Sequence, residues 1–306
     1  MRRMPSFVQG LRRFRLIALA GLVPTLTGCG RQYVLFHPAG PVAQSELNLL
    51  VLAAVAMAVV IAGVYLLLAI VLVRFRAKRR RLGPYAPEWD GDRRLEILWF
   101  VIPVVILTII AVPTVRKTYR LADPPRPKQG PVVIDVTSLT WKWLFEYPGR
   151  RVATVNYVVI PAGRKVLFEL TADSAMNTFW VPRLGGMEYT MPNQVLPLWL
   201  EASHPGVYWG HSGNFSGLGF ENMFFTVRAV KPTAFDRWIR DTRRSSPPMT
   251  LSAYHRLLRF GLAGRATYGN YPTRTFPFQP TGFTLTGDGM YMPMKRSMPM
   301  PTSSGF

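Results

Sequence analysis

The sequence predicts a membrane-anchored α+β protein. We expect an N-terminal two-helix transmembrane hairpin, then an external all-β sandwich and a short helical C-terminal extension. Two uncharged apolar runs, Leu47–Val73 and Ile97–Val115, are long enough to cross a bilayer. Short β-branched and aromatic runs, separated by Pro and Gly, fill residues 132–230 and are typical of a sandwich or barrel.

Residues 1–28 are predicted to be a lipoprotein signal peptide. Arginines precede an apolar stretch that begins at Leu16 and leads to Leu26-Thr27-Gly28-Cys29, which resembles the bacterial lipobox. In that motif the cysteine is acylated, with palmitate as the expected lipid, and becomes the mature N-terminus. An ordinary signal peptide or anchor with an incidental cysteine is the alternative. Cys29 is the only cysteine of the chain, so no thiol downstream can form a disulfide or bind copper.

The hairpin is predicted to occupy residues 47–117, after an external segment at 29–46. Its connecting loop, 74–94, is rich in arginine, and short basic loops stay in the cytoplasm. Together with the signal, this places Cys29 and the C-terminal domain on the periplasmic side of a bacterial inner membrane, as a multi-pass lipoprotein. Pro103 and Pro113 in the second run predict tight packing against a partner. A buried helical hairpin of a soluble protein is the alternative.

The formal net charge of +21 first raises the question of nucleic acid binding. The basic residues are scattered through the signal, the loop and the C-terminal part without a compact motif, so we expect no nucleic acid partner. They favour contact with anionic headgroups or a partner subunit. The C-terminal group comprises Arg237, Arg240, Arg243, Arg244, Arg256 and Arg259.

The external part is predicted to consist of a Pro-rich linker at 118–131, a sandwich at 132–230 and a helical extension at 231–260. We expect antiparallel strands and, within the extension, helices at Thr233–Arg244 and Met249–Arg259. The tail, 261–306, is rich in Gly, Pro, Met and Thr and is predicted to be disordered, low-complexity sequence. The predicted strands are Val132–Ser138, Thr140–Tyr147, Thr154–Ile160, Lys165–Thr171, Asn193–Ala202, Gly206–Trp209 and Met223–Val230.

The segment Gly210–Met223 has the spacing of a metal site. A dinuclear copper centre of the respiratory type needs two thiolates four residues apart, an imidazole four residues later and a thioether three beyond that. Ser212 and Ser216 stand at the two thiolate positions and Phe220 at the imidazole position. Only Met223, at the thioether position, has a side chain of the required kind.

A helical hairpin followed by a sandwich that ends in this frame resembles subunit II of the haem–copper respiratory oxidases, and more closely that of bo-type ubiquinol oxidases. The resemblance runs from about Gln44 to Phe260 and implies a cupredoxin-like sandwich. In copper-bearing relatives a histidine precedes a Val-Pro, and Asn177 takes that place; Asn214 replaces a glutamate between the cysteines. Five segments carry the resemblance: Trp141-Lys-Trp-Leu-Phe-Glu-Tyr-Pro148, Ala153-Thr-Val-Asn156, Met176-Asn-Thr-Phe-Trp-Val-Pro-Arg-Leu-Gly185, Tyr208–Met223 and Ala234-Phe-Asp-Arg-Trp238.

The resemblance implies a structural subunit without a catalytic centre, cofactor or metal of its own. It implies an H⁺-transporting oxidase in which ubiquinol, dissolved in the membrane, delivers electrons directly to subunit I, so that an external copper relay is unnecessary. Haems and a mononuclear copper are expected in subunit I, and subunits I, III and a small subunit IV are the implied partners. A copper-binding subunit II of a cytochrome c oxidase and a free-standing lipoprotein binding module are the alternatives.

Two further residues carry functional hypotheses. Glu96 lies at the cytoplasmic start of the second span, where a carboxylate is costly without a partner or water. The resemblance places it at the mouth of a proton-uptake channel; pairing with Arg93 or Arg94 is the alternative. Trp141 alternates with Trp143, Phe145 and Tyr147, so a shared face and a packing role in the sandwich are expected.

Overall fold

The computed structural model describes residues 34–74, 91–122, 130–173 and 175–272, together with the backbone of 283–285 and 291–293. The predicted signal peptide, Cys29 and most of loop 74–94 lie outside the described residues. Val34–Phe36 form a single 3₁₀ turn.

Two long helices form the hairpin: α1, Pro41–Arg74, and α2, Arg93–Ala122. Both are long and apolar enough to cross a membrane, and both extend beyond the predicted apolar runs. At about 1.5 Å per residue, α1 is about 50 Å long, which exceeds the hydrocarbon core of a bilayer. Helix α2 continues into the predicted linker at 118–131, and residues 123–129 lie outside the described part.

The side chains of the hairpin face outward along most of its length. Both prolines lie inside α2, as the sequence predicted, and aromatic side chains such as Tyr65, Trp99 and Phe100 are exposed. Large exposed apolar surfaces on a protein mark contact with lipid or with another chain. The hairpin therefore needs an apolar environment that the rest of the described chain does not supply.

The external domain is a sandwich of two sheets. The first has the strand order β11-β3-β2-β1-β5-β8 and the second β4-β10-β9-β6-β7. A separate two-stranded pair, β12 and β13, lies further along the chain. The strands are β1 Val132–Leu139, β2 Lys142–Tyr147, β3 Val152–Val155, β4 Tyr157–Pro161, β5 Val166–Ala172, β6 Asn177–Trp180, β7 Met187–Thr190, β8 Leu196–Leu200, β9 Gly206–His211, β10 Phe224–Val230, β11 Ala266–Tyr268, β12 Phe283–Leu285 and β13 Tyr291–Pro293.

The strand pairing corrects the predicted antiparallel arrangement. Strand β1 pairs in parallel with β5, and β10 pairs in parallel with β4, so both sheets are mixed. The predicted strand Thr154–Ile160 is also wrong as a single element. Asn156 has a left-handed φ of 59° and divides it into β3 and β4, and these two strands belong to different sheets.

An aromatic core lies between the sheets. Phe179 and Phe225 stack with ring centroids 4.7 Å apart, and Trp143 meets both rings edge-on. Phe145 packs against the same pair. All four side chains are fully buried, so the inward faces of β2, β6 and β10 meet in one cluster.

The hairpin joins one end of the sandwich, which we name the hairpin end. There the Trp199 indole donates a hydrogen bond to Leu121 O at 2.7 Å, and Ala43 N donates to Leu184 O at 3.2 Å. Ser203 N donates to Ala39 O at 2.8 Å. The opposite end carries residues 212–223 and is named the loop end. Strands β1 and β5 begin at the hairpin end, with Val132 and Val166, and β10 ends there, with Val230.

The C-terminal extension packs on the first sheet. Helices α3, Pro232–Ser245, and α4, Leu251–Leu258, confirm the two predicted helical segments. Met249, Tyr254 and Leu257 form a second core with the outer face of that sheet. Beyond them, β11 pairs with β3, so the predicted disorder from 261 onward is wrong for 261–272.

Candidate functional site

Three polar side chains from different elements meet at the loop end. The Asn177 amide, at the start of β6, donates hydrogen bonds to Ser138 Oγ at 2.6 Å and to Ala175 O at 3.2 Å. The Ser212 hydroxyl donates to Asn177 Oδ1 at 3.3 Å. Both Asn177 and Ser212 are buried, so two of the positions singled out from the sequence are brought into direct contact.

The rest of the loop is held by backbone and side-chain bonds. Gly213 N donates to Thr178 Oγ1 at 2.6 Å, and the Asn214 amide donates to Met176 O at 2.9 Å. Ser212 Oγ also accepts from Thr178 N and Asn214 N at 3.4 Å. These bonds fix the loop to the start of β6 without any metal ligand.

The other three residues at the spacing of the metal site, Met223, Phe220 and Ser216, lie in different surroundings. Met223 is buried, and its carbonyl accepts from the Trp143 indole at 3.4 Å. Phe220 packs edge-on against Phe215, with ring centroids 5.8 Å apart. Ser216 Oγ is buried without a hydrogen-bond partner among the described residues, while Ser216 O accepts from the Trp141 indole at 3.0 Å.

Trp141 does not share the core face of β2, which corrects the predicted alternation. Trp143, Phe145 and Tyr147 are buried in the core. Trp141 precedes the strand with a left-handed φ of 61° and lies over the loop. A Cβ on Gly219 would overlap its indole ring, and one on Gly217 would lie 3.1 Å from Trp141 Cζ2. The glycines of the loop therefore make room for this ring.

His211 borders the loop but takes part in packing. Its Nδ1 lies 2.9 Å from Ser212 O, and its ring meets Trp180 edge-on at 5.0 Å. Within the described residues, no group of three or more His, Cys, Asp or Glu side chains could hold a metal ion.

The donor set at the loop does not fit a copper pair. An amide, hydroxyls and a phenyl ring stand where thiolate and imidazole ligands would be needed. The side chains of Asn177 and Ser212 moreover form a hydrogen bond with each other, and Asn177 forms another with Ser138. These polar side chains at the loop are therefore engaged in ordinary hydrogen bonds.

The tip of the loop presents an exposed apolar surface. Phe215 is 75% exposed, Leu218 is 92% exposed and Phe260, which meets Trp141 edge-on at 6.2 Å, is 85% exposed. Such a cluster on a folded domain marks a site of contact with another protein or with a membrane. The tip lies at the end of the sandwich that faces away from the hairpin, which favours a protein.

Comparison with known proteins accounts for the combination of hairpin and sandwich. The family model described as cytochrome c oxidase subunit II, transmembrane domain, matches residues 32–116, and that for its periplasmic domain matches residues 130–230. Quinol oxidase subunit 2 of Bacillus cereus is 40% identical over 260 residues, covering 83% of this chain and 89% of the relative. The chain belongs to the subunit II family of respiratory oxidases.

Two further relatives carry similar names. Quinol oxidase subunit 2 of Bacillus subtilis is 35% identical over 253 residues, covering 82% of this chain and 78% of that protein. Cytochrome bo(3) ubiquinol oxidase subunit 2 of Pseudomonas putida is 34% identical over 251 residues, covering 81% and 78%. Because the chain belongs to this family, its two long helices are transmembrane helices and this subunit II is a membrane protein.

Glu96 lies in the first turn of α2, at the end of the hairpin remote from the sandwich. Asp92 precedes it and accepts a hydrogen bond from Arg94 N at 2.8 Å, which caps the helix. Glu96 is exposed. Within the part of the chain that the structure describes, no ion pair joins it to Arg93 or Arg94, so the pairing alternative finds no support.

A row of carboxylates crosses the outer face of the first sheet, and sequence analysis did not find it. Asp135 is the cross-strand partner of Glu146 and, on its other side, of Glu169. Burial raises the pKa of the Asp135 carboxyl to about 7, and the charge of Glu169 adds to the rise. Asp135 therefore holds its proton up to near-neutral pH. Only the strand register brings these three acids together, and the sequence does not specify that register.

Proposed function

We propose that this subunit II is the structural, non-redox subunit of a proton-pumping terminal ubiquinol oxidase, which oxidises quinol and reduces O₂ to water in the aerobic respiratory chain. The observation that supports the proposal is the polar network of Asn177, Ser138 and Ser212, which includes two positions that the family resemblance assigns to copper ligands. A subunit that accepts electrons from a soluble carrier needs a redox centre at its surface. Quinol, being soluble in the membrane, needs none there.

The names of the relatives support the same donor. Relatives that are 34% to 40% identical to this chain over most of its length are named quinol oxidase subunit 2 and cytochrome bo(3) ubiquinol oxidase subunit 2. Under this proposal the chain binds no metal or cofactor, and haems with a mononuclear copper reside in subunit I.

The partners proposed are subunits I and III and a small subunit IV. The exposed aromatic side chains of the hairpin support lateral packing against a multispanning chain. The apolar tip formed by Phe215, Leu218 and Phe260 supports a second contact on the external side. We place the sandwich in the periplasm, with Cys29 acylated and residues 1–28 removed.

Glu96 is proposed to collect protons at the cytoplasmic surface for an uptake channel completed by subunit I. Its position in the first turn of α2 and its freedom from an ion pair with the neighbouring arginines support this role. An exposed carboxylate at a membrane boundary can exchange protons with water and pass them inward through a partner chain.

The experiment that tests the main proposal is purification of the complex that contains this chain, followed by two activity assays and metal analysis. We expect O₂ consumption with ubiquinol, none with reduced cytochrome c, and a single copper per complex that remains with the haem-containing chain. Two further copper ions per complex, or turnover with cytochrome c alone, would contradict the proposal.

A further inference from the structure

Helix α3 lies across the hairpin end of the sandwich. It begins at Pro232, with Lys231 as its N-cap, directly after β10 ends with Val230 beside Pro161. Its middle packs on the turn between β2 and β3: Trp238 meets Tyr147 at 5.5 Å, and Asp236 forms an ion pair with Arg150 at 3.1 Å. All these contacts lie at the end where the transmembrane helices join.

The far end of α3 stays at the same level. Gly269 follows Tyr268, the partner of Ala153 near the start of β3, and a Cβ on Gly269 would lie 2.8 Å from Thr242 O. Start, middle and finish of α3 are thus all attached to the hairpin end. The helix therefore lies at the hairpin end, beside β4 and the edge of the first sheet formed by β3 and β11.

One face of α3 is buried and the opposite face is cationic. Phe235, Ile239 and Thr242 are buried at helical spacing. At 100° per residue, Arg237, Arg240 and Arg244 point away from that buried face, and all three are exposed. We name these three residues the arginine stripe. The stripe is therefore exposed at the hairpin end, the end of the sandwich that the transmembrane helices join.

The charge of the stripe is not neutralised within the described residues. No ion pair involves its three guanidinium groups, although Asp241 lies beside them on the helix. Asp236 is engaged by Arg150. Lys231 and Arg164 add positive charge at the same end, where Glu201 and Glu46 are acids. An excess of fixed positive charge beside a membrane attracts anionic headgroups, and each such cation contributes about 1 kcal/mol.

We propose that the arginine stripe binds the phosphate groups of anionic phospholipids in the membrane leaflet that faces the sandwich. Guanidinium groups hold phosphate oxygens in a bidentate geometry. The buried face fixes α3 to the sandwich, so that the stripe is presented without a further ordering step. The bound lipids secure the orientation of the external domain over the bilayer, independently of which donor the oxidase uses.

The test measures lipid affinity of the full-length chain, purified in an uncharged detergent with whatever subunits accompany it. Native mass spectrometry during titration with phosphatidylglycerol and with phosphatidylcholine gives the two affinities. In the triple variant Arg237→Gln, Arg240→Gln and Arg244→Gln, the affinity for phosphatidylglycerol should fall at least about tenfold, with phosphatidylcholine unchanged. The triple substitution by Lys keeps the charge without the bidentate contacts, so its affinity for phosphatidylglycerol should lie between those of the unaltered chain and the Gln variant. An unchanged near-UV circular dichroism spectrum of the Gln variant excludes misfolding as the cause of its loss.

A second triple variant provides the matched control. Arg256, Arg259 and Arg265 are exposed, and the loop end holds their segment through Lys142 Nζ, which donates to Arg259 O at 2.7 Å. Their replacement by Gln removes the same charge far from the membrane and should leave lipid affinity unchanged. Equal loss in both triples would assign the effect to net charge and overturn the proposal. Unchanged lipid binding, with loss of a co-purifying protein instead, would identify the stripe as a subunit contact and overturn it as well.

Discussion

The hydrogen bonds at the loop end allow the cost of losing each polar side chain to be ranked. Asn177 is 1% exposed and takes part in three hydrogen bonds, the shortest to Ser138 Oγ at 2.6 Å. Its replacement by alanine removes about 1 kcal/mol for each good bond and leaves the buried Ser138 hydroxyl without a partner, at about 1–3 kcal/mol. We expect Asn177→Ala to lower the free energy of unfolding by about 2–4 kcal/mol.

Ser212→Ala should cost much less. All hydrogen bonds of the Ser212 hydroxyl are 3.3–3.4 Å long, beyond the usual range for such bonds. We expect a loss of about 0.5–1 kcal/mol. Asn214→Ala serves as the control, because its amide makes one bond, to Met176 O, near the surface, and should cost less than about 1 kcal/mol.

The assay is thermal unfolding of the full-length chain in detergent, followed by near-UV circular dichroism of the aromatic core. For a domain of this size, 1 kcal/mol shifts Tm by about 2–4 °C, so Asn177→Ala should lower Tm by about 4–15 °C. The double variant Asn177→Ala/Ser212→Ala should be near additive, with a coupling below about 1 kcal/mol. If Ser212→Ala lowers Tm as much as Asn177→Ala, bond length does not govern the network and the ranking is refuted.

Three further outcomes follow from other parts of the molecule. The pKa of Asp135 is about 7 in the folded state against an ordinary value of 3.8, so between these pH values the folded state binds more protons than the unfolded state. The Tm should therefore fall as the pH rises from 4 to 7. In Asp135→Asn most of this dependence of Tm on pH should vanish. Gly219→Ala should displace the Trp141 indole and cost about 1–3 kcal/mol, speeding proteolysis of the loop, whereas Gly264→Ala, with no atom near its Cβ, should leave cleavage unchanged. Glu96→Gln should lower quinol turnover while assembly stays intact, and unchanged turnover across pH would contradict its role in proton uptake.

The sequence allowed the hairpin and most strands to be predicted because their signals are local. Apolar length defines α1 and α2, and alternation defines β1, β5 and β10. The parallel pairings of β1 with β5 and of β4 with β10 were missed, since pairing between distant strands leaves no mark on either strand. Strands β6 and β7 were missed because they have only four residues each.

At the site, the chemistry of each position could be predicted, whereas its surroundings could not. The spacing singled out Ser212 and the family resemblance singled out Asn177. The fold brings Ser212 Oγ to 3.3 Å from Asn177 Oδ1. The contribution of Ser138 depends on where β1 ends relative to β6, which is a tertiary property. Trp141 was misplaced because alternation along β2 was extended one residue too far, into a turn with positive φ.

The pairing of β11 with β3 has a consequence for the order in which the domain can be completed. Ala266 pairs with Val155, so the last strand of the first sheet is synthesised long after its partner. Until then β3 presents an open edge, whose free N–H and C=O groups can pair with strands of other chains. A chain truncated before β11 would retain all the other strands of the sandwich and yet leave this edge open to pairing with other chains. The final segment thus protects the nascent domain.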